Sequence, residues 1–347
     1  MSGGVDSSVA AALLAEAGHE VIGLSMQLYD NRDPDTPFGS CCTLDDLADA
    51  RRVAGRIGIP HYIVNFEREF HDEVVSDFVR EYVAGRTPIP CVHCNSDLKF
   101  ATLLERAGGF GADVVATGHY ARVERDPGGR VRLRRGVDPA KDQSYFLFSL
   151  TQAQLARAAF PVGHLEKGAV REHARRLGLA VSEKKDSYEI CFVPDGDYAA
   201  VVEKHAPGAL EAGVITDRAG RVLGRHAGTH RFTIGQRKGL GLSAGIPLYV
   251  VGIDADARKV VVGPREALER TTLAASRVNW IAGGPPASPI RAEVQIRHRH
   301  AAAPATITAD GDTRARVVFD RPQAAITPGQ AVVFYDDDDV LGGGWID

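Results

Sequence analysis

The spacing of apolar residues changes along the chain, and the changes divide it. In the first half, helical periods alternate with short apolar runs. Val9 to Leu14 gives the apolar side of a helix over 6–17, and Val21-Ile22-Gly23-Leu24-Ser25-Met26 follows as a strand. Thr43 opens an amphipathic helix to about Ile57, closed by Gly58. Residues 61–65 read as a strand, and 66–84 as a helix with Phe66, Phe70, Val74, Phe78 and Tyr82 nearly on one face. A Pro-bounded loop from Thr87 to Pro90 leads to a helix over 95–107 and a strand from Asp113 to Thr117. A hairpin over 121–135 turns at Asp126-Pro127-Gly128-Gly129. From about 143 to 179 the pattern predicts helix, with one helix over 166–177 ended by Gly178.

This alternation predicts an α/β fold, a doubly wound and mostly parallel sheet with helices on both faces. Beyond about 205 the texture changes to short β-branched runs at 214–216, 248–253, 259–262, 292–296, 315–319 and 331–335. Gly, Pro and Asp turns separate them, as in small antiparallel β domains or barrels. A composition break near 264–275 splits this half in two. The expected domains are a catalytic one over 1–200, a small β domain over 201–266 and a barrel-like one over 267–347. The acidic run Asp336 to Asp339 reads as a solvated turn.

Composition narrows the chemistry. With 44% hydrophobic and 25% charged residues among 347, the chain is an ordinary globular protein of two or three domains. No apolar run approaches the roughly 20 residues of a membrane span, so no membrane partner is expected. No leader precedes the first motif, which makes the cytoplasm the expectation, and the chain is expected to be a monomer. A net charge of −4 gives no global nucleic-acid signature but leaves room for a local basic groove. Five cysteines in such a chain point to metal or catalytic thiols rather than a disulfide scaffold.

The chain opens Ser2-Gly3-Gly4-Val5-Asp6-Ser7-Ser8, a Gly-Gly turn feeding a helix N-terminus. Such a terminus presents backbone N–H groups and the positive end of the helix dipole, which suits a phosphate. The Walker-type Gly-Lys-Ser/Thr is absent. Asp6 could help ligate a metal or serve as a common N-terminal acid.

Cys91-Val92-His93-Cys94 and the distant Cys191 leave several readings open: part of a zinc site, a redox pair, three ligands of an iron–sulfur cluster, or a persulfide carrier with its partner thiol. Cys41 and Cys42 are taken as structural. In the last domain Arg297-His298-Arg299-His300 offers a basic patch and Gln330 an amide able to read a base edge. The run Arg231 to Lys238 is a further candidate RNA backbone contact.

The opening loop resembles the pyrophosphate-binding loop of the PP-loop ATP pyrophosphatases. Together with Thr87-Pro88-Ile89-Pro90-Cys91-Val92-His93-Cys94-Asn95, Ala116-Thr117-Gly118-His119-Tyr120, Lys141-Asp142-Gln143-Ser144-Tyr145, Lys185-Asp186-Ser187 with Cys191, and Thr233-Ile234-Gly235-Gln236-Arg237-Lys238-Gly239, it resembles the tRNA-specific 2-thiouridylase family over nearly the whole chain. The resemblance implies an ATP-dependent enzyme that adenylates the 2-oxygen of the wobble uridine and then replaces it with sulfur. It implies ATP and Mg²⁺ as cofactors, the anticodon arm of tRNA as partner, and a sulfur donor such as a cysteine desulfurase or relay protein.

By the same resemblance Cys94 is the nucleophile and Cys191 carries the persulfide. Ser2, Gly3, Gly4, Val5, Asp6, Ser7, Met26 and Gly118 hold the nucleotide. Ile89, Pro90, Cys91, His119, Lys141, Asp142, Gln143, Arg297, His298 and Gln330 are the expected tRNA contacts. Two positions depart from many members, Cys91 standing for Asp and Ile89 for Asn. The Cys91 form keeps open a four-iron four-sulfur cluster on Cys91, Cys94 and Cys191, with cluster-bound sulfide in place of the persulfide. In the family a buried strand delivers the chain into the loop, and only Met1 precedes it here. A late-assigned start is the expected cause, and a tRNA- or cluster-binding protein without catalysis is the alternative. Another PP-loop ligase is the third reading.

Overall fold

The computed structural model describes residues 1–29, 43–186, 190–193, 196–209, 211–243 and 245–347. Cys41, Cys42 and Ser187 lie outside the described residues. The chain forms two compact units, one from residues 1–74, 91–196 and 338–340, the other from 75–90, 197–337 and 341–347.

In the first unit, helix α1 (Val5–Glu16) starts from Gly4 in extended backbone. Its Val5, Val9 and Ala10 pack with Val53, Tyr120, Val162, Val170 and Leu179. Strand β1 (Gly23–Gln27) precedes helix α2 (Leu44–Ile57). Thr43 and Asp46 form a reciprocal capping box at the start of α2, and Gly58 ends it at φ 76°. Strand β2 (His61–Asn65) pairs parallel to β1, with Gly23 opposite His61.

A second parallel pair joins β3 (Val115–Ala116) to a strand at Ala158–Ala159. The sequence pattern predicts helix there. A two-residue strand is too short to show a period, and it is held from outside by Val115 N–H on Arg157 O and Thr117 N–H on Ala159 O. Among the described residues of the first unit the parallel strands therefore come as two pairs, with residue 1 along the second edge of β1. There Met1 N donates to Leu24 O, and Ser25 Oγ donates to Met1 O at 2.6 Å.

The hairpin of β4 (Ala121–Arg125) and β5 (Val131–Arg135) forms as expected. Its arginines meet the acidic run. Arg122 donates to Asp338 at 2.7 Å, Arg134 Nε lies 2.9 Å from Asp339, and Arg132 also pairs with Asp339. The turn forms at 337–338 with Asp336 and Asp337 exposed, while Asp338 and Asp339, the second half of the run, are ion-paired. Opposite charges about two hundred residues apart meet only after folding, which local patterning cannot show.

An α turn at Pro90–His93 continues as a nine-residue π-helix, Cys94–Thr102, before Leu103–Gly108. Leu98 and Phe100 are fully buried there.

In the second unit a four-stranded sheet uses Gly213–Thr216, Val222–His226, Tyr249–Asp254 and Lys259–Gly263. Its core is Ile215, Phe232, Val250, Val260 and Val262. The C-terminal strands run Glu269–Asn279, Ile290–Gln295, Ala303–Ala309, Ala315–Ala324, Ala331–Asp336 and Asp339–Ile346. The first of these also pairs with the last, so the six close into a barrel. Alternate residues such as Ala305, Ile307, Val317 and Phe319 point into its core.

Candidate functional site

The loop before α1 has the backbone its glycines allow. Gly3 sits at φ 70°, and a Cβ there would lie 2.3 Å from Asp46 O, so only glycine fits. Ser2 Oγ and Ser7 Oγ are 3.1 Å apart, and Ser8 Oγ donates to Gly4 O at 2.8 Å. Lys184 fastens the loop from outside, donating to Gly3 O at 3.1 Å while holding Asp46 and Asp49 at 2.6 Å each. The first N–H groups of α1 have no intrahelical acceptor, which is the donor set an anion needs.

Gly118 ends the segment after β3 directly under this helix start. A Cβ on it would stand 2.5 Å from Ser7 N. Its smallness serves the approach of α1 itself. Next to it His119 is buried, with Nδ1 2.6 Å from Thr117 Oγ1 and its ring edge-on to Phe160. Burial, aided by the Lys99 charge, holds the imidazole well below its usual range, so it stays neutral. Met26 lies half-buried on β1 opposite Val64.

Asp6 is held more closely than the sequence suggests. Lys167 Nζ donates to both its oxygens, at 2.7 and 2.9 Å, and Tyr120 OH donates at 2.8 Å. Burial, and then the neighbouring Asp6 charge, pushes the Tyr120 hydroxyl far above its usual range, so it remains a donor. With its oxygens so engaged, Asp6 does not fit as a metal ligand in this arrangement. Lys167 also contacts Asp186 at 2.7 Å, and Lys141 donates to Asp186 at 2.6 Å. Burial raises the Asp186 carboxyl and the two lysine hydrogen bonds lower it, the lysines prevailing.

Cys91 is exposed, while Cys94 and Cys191 are half-buried. Tyr29 OH donates to Cys191 Sγ at 3.4 Å, and Phe192 packs edge-on against Phe70. Among the described residues no group of three His, Cys, Asp or Glu is placed to hold a metal.

Family comparison covers the chain end to end. The family described as tRNA methyl transferase HUP domain matches residues 1–195, the PRC-barrel domain of the same name 200–264, and the aminomethyltransferase beta-barrel domain 270–346. A tRNA-specific 2-thiouridylase MnmA from Geotalea uraniireducens is 56% identical over 351 residues, covering 100% of this chain and 93% of the relative. The chain belongs to the tRNA-specific 2-thiouridylase family. A thiouridylase from Geobacter metallireducens is also 56% identical, over 100% of this chain and 95% of its own. One from Solibacter usitatus is 54% identical, over 100% and 98%.

Of the RNA contacts that thiouridylase resemblance implies, the structure uses several internally. Asp142 accepts from Gly136 N, Ser144 N, Ser144 Oγ and Arg135, at 2.9 to 3.1 Å. Gln143 Oε1 accepts from Tyr120 N at 3.1 Å. Both act as scaffold here because these donors occupy their oxygens. In the second unit Gln330 Nε2 donates to Thr87 O at 3.0 Å and Pro88 O at 3.2 Å, so it shapes the segment leading to Ile89 and Pro90. Gln295 Nε2 holds the carbonyls of Arg297 and His298 at 3.2 and 2.7 Å, leaving the His298 ring exposed.

Lys167 and Lys184, which hold the loop and α1, and Lys99, whose charge acts on His119, were not singled out by the sequence reading. Lys167 reaches Asp6 of α1 across 161 positions, and Lys184 reaches Gly3 of the preceding loop across 181. Lys99 lies one π-turn beyond Cys94, a spacing that an ordinary helical period conceals.

Proposed function

We propose that this thiouridylase-family chain converts the wobble uridine of tRNA to 2-thiouridine at the expense of ATP. What carries the reading is the anion-ready start of α1, built from Gly3, Gly4 and Gly118, in a chain that aligns with curated 2-thiouridylases over its full length. The α1 N–H groups receive the departing pyrophosphate as the uridine 2-oxygen attacks the α-phosphorus of ATP, leaving an adenylated base. The terminal sulfur of a Cys191 persulfide then attacks C2, and AMP leaves with the former 2-oxygen.

Cys94 thiolate attacks Cys191 Sγ, the sulfur–sulfur bond breaks, and a Cys94–Cys191 disulfide remains for an external thiol to reduce. Ile89, Pro90, Cys91, Lys141, Arg297 and His298 are the proposed tRNA-facing residues, and Met26 the residue against adenine. The catalytic domain is taken as 1–200, with β domains at 201–266 and 267–347. Sulfur comes from a desulfurase or relay protein, and the chain acts as a monomer.

The test is nucleoside analysis of an unmodified tRNA transcript incubated with the protein, ATP, Mg²⁺ and an active sulfur donor. The expected product is 2-thiouridine. Its absence with a donor proven active on another acceptor sinks the proposal.

A further inference from the structure

Asp6 poses an electrostatic problem for the loop that contains it. It is a carboxylate in the first turn of α1, at the terminus where a polyphosphate would sit, and a bare negative charge there repels the ligand. The fold answers with Lys167, the first residue of the helix Lys167–Arg176. Its ammonium touches both Asp6 oxygens, and its side chain is only 12% exposed. Asp186 holds the same ammonium on its other side at 2.7 Å, which fixes its position. Lys141 pairs with Asp186, and Lys184 is engaged by Asp46 and Asp49. Lys167 is therefore the ammonium that neutralises Asp6.

We infer that Lys167 is a positioning residue for nucleotide binding, cancelling the Asp6 charge so that the α1 terminus presents a net positive field to the phosphates. The inference rests on the reading of this loop as the nucleotide site. It predicts a pattern of charge compensation that a merely structural lysine would not produce.

The experiment measures the Kd of α,β-methylene-ATP by equilibrium dialysis in EDTA, so that no metal contributes. Lys167→Met should weaken binding about tenfold or more. Lys167→Arg should stay within about threefold of wild type. Asp6→Asn alone should bind as tightly as wild type or more tightly, because Lys167 is then uncompensated. Asp6→Asn with Lys167→Met should return to within about threefold of wild type. A double variant as weak as Lys167→Met, or an Asp6→Asn variant weaker than wild type, overturns the inference. Should Lys167→Met fail to fold in a thermal melt, Lys167→Gln takes its place in the same cycle, with the same expected loss and the same recovery on adding Asp6→Asn. A wild-type protein that binds no analogue, even with Mg²⁺ restored, refutes the nucleotide reading itself. Wild-type binding with Lys167→Met unchanged refutes this inference alone.

Discussion

Gly118 and Ser7 meet backbone to backbone, so closely that a Cβ on Gly118 would stand 2.5 Å from Ser7 N. Both contacting groups are backbone, Gly118 two residues past β3 and Ser7 in the first turn of α1, so no flexible side chain can move aside. Gly118→Ala should cost about 1–3 kcal/mol through overpacking and weaken ATP binding by displacing the helix start. Gly55→Ala, whose Cβ meets nothing within 4 Å, should be neutral or stabilising. Thermal melts of the two variants check the contrast.

Gly3 and Gly4 are adjacent but not equivalent. Gly3 has φ 70° and no room for a Cβ beside Asp46 O, whereas Gly4 is extended with Ser2 Oγ at 3.6 Å. Gly3→Ala should abolish tRNA-dependent pyrophosphate release, and Gly4→Ala should retain most of it. Equal loss in both would show that the loop's geometry is not what matters.

Cys94→Ser and Cys191→Ser should each abolish 2-thiouridine formation while pyrophosphate release continues, because adenylation involves neither thiol. Parallel assays of nucleoside and pyrophosphate separate the half-reactions. Formation of 2-thiouridine by either variant contradicts the proposed sulfur path.

His119 makes stability depend on pH on the acid side. Burial holds its folded pKa well below the unfolded value of about 6.5. As pH falls below about 6.5, the unfolded chain therefore binds the proton first and stability drops, by at most about 1.4 kcal/mol per pH unit from this group. His61, His226 and His300, also lowered mainly by burial, add in the same sense. Urea midpoints between pH 7 and 5.5 should fall, and His119→Gln should make the fall shallower. An unchanged slope in that variant would count against a neutral buried His119.

Gln330 holds Thr87 O and Pro88 O. Gln330→Ala leaves those carbonyls without this donor, and should reduce tRNA affinity several-fold with little change in ATP affinity. Filter binding of the transcript measures it.

Much of this was legible in the chain itself. Thr43 and Gly58 mark the ends of α2 because a capping box and a left-handed C-cap are local chemistry. The Gly-Gly turn before α1 is visible because its conformational demand falls on the residues that carry it. The alternating runs of the C-terminal half show their strands for the same reason. By contrast Ala158–Ala159 owes its strand to Val115 and Thr117 rather than to its own propensity. The second half of the acidic run looked solvated until Arg122, Arg132 and Arg134 were brought to it.

By itself, then, the sequence determined the elements with their own periodicity, the Gly-Gly turn before α1, the thiols and the family. The partners of Asp6, Asp142, Gln143 and Gln330 were decided only by tertiary structure. Each is a polar group whose role depends on which distant donor fills its oxygens or which carbonyl receives its amide. Lys167 reaches Asp6 across 161 positions, and no local pattern encodes a contact that exists only once the helices and strands between them have packed.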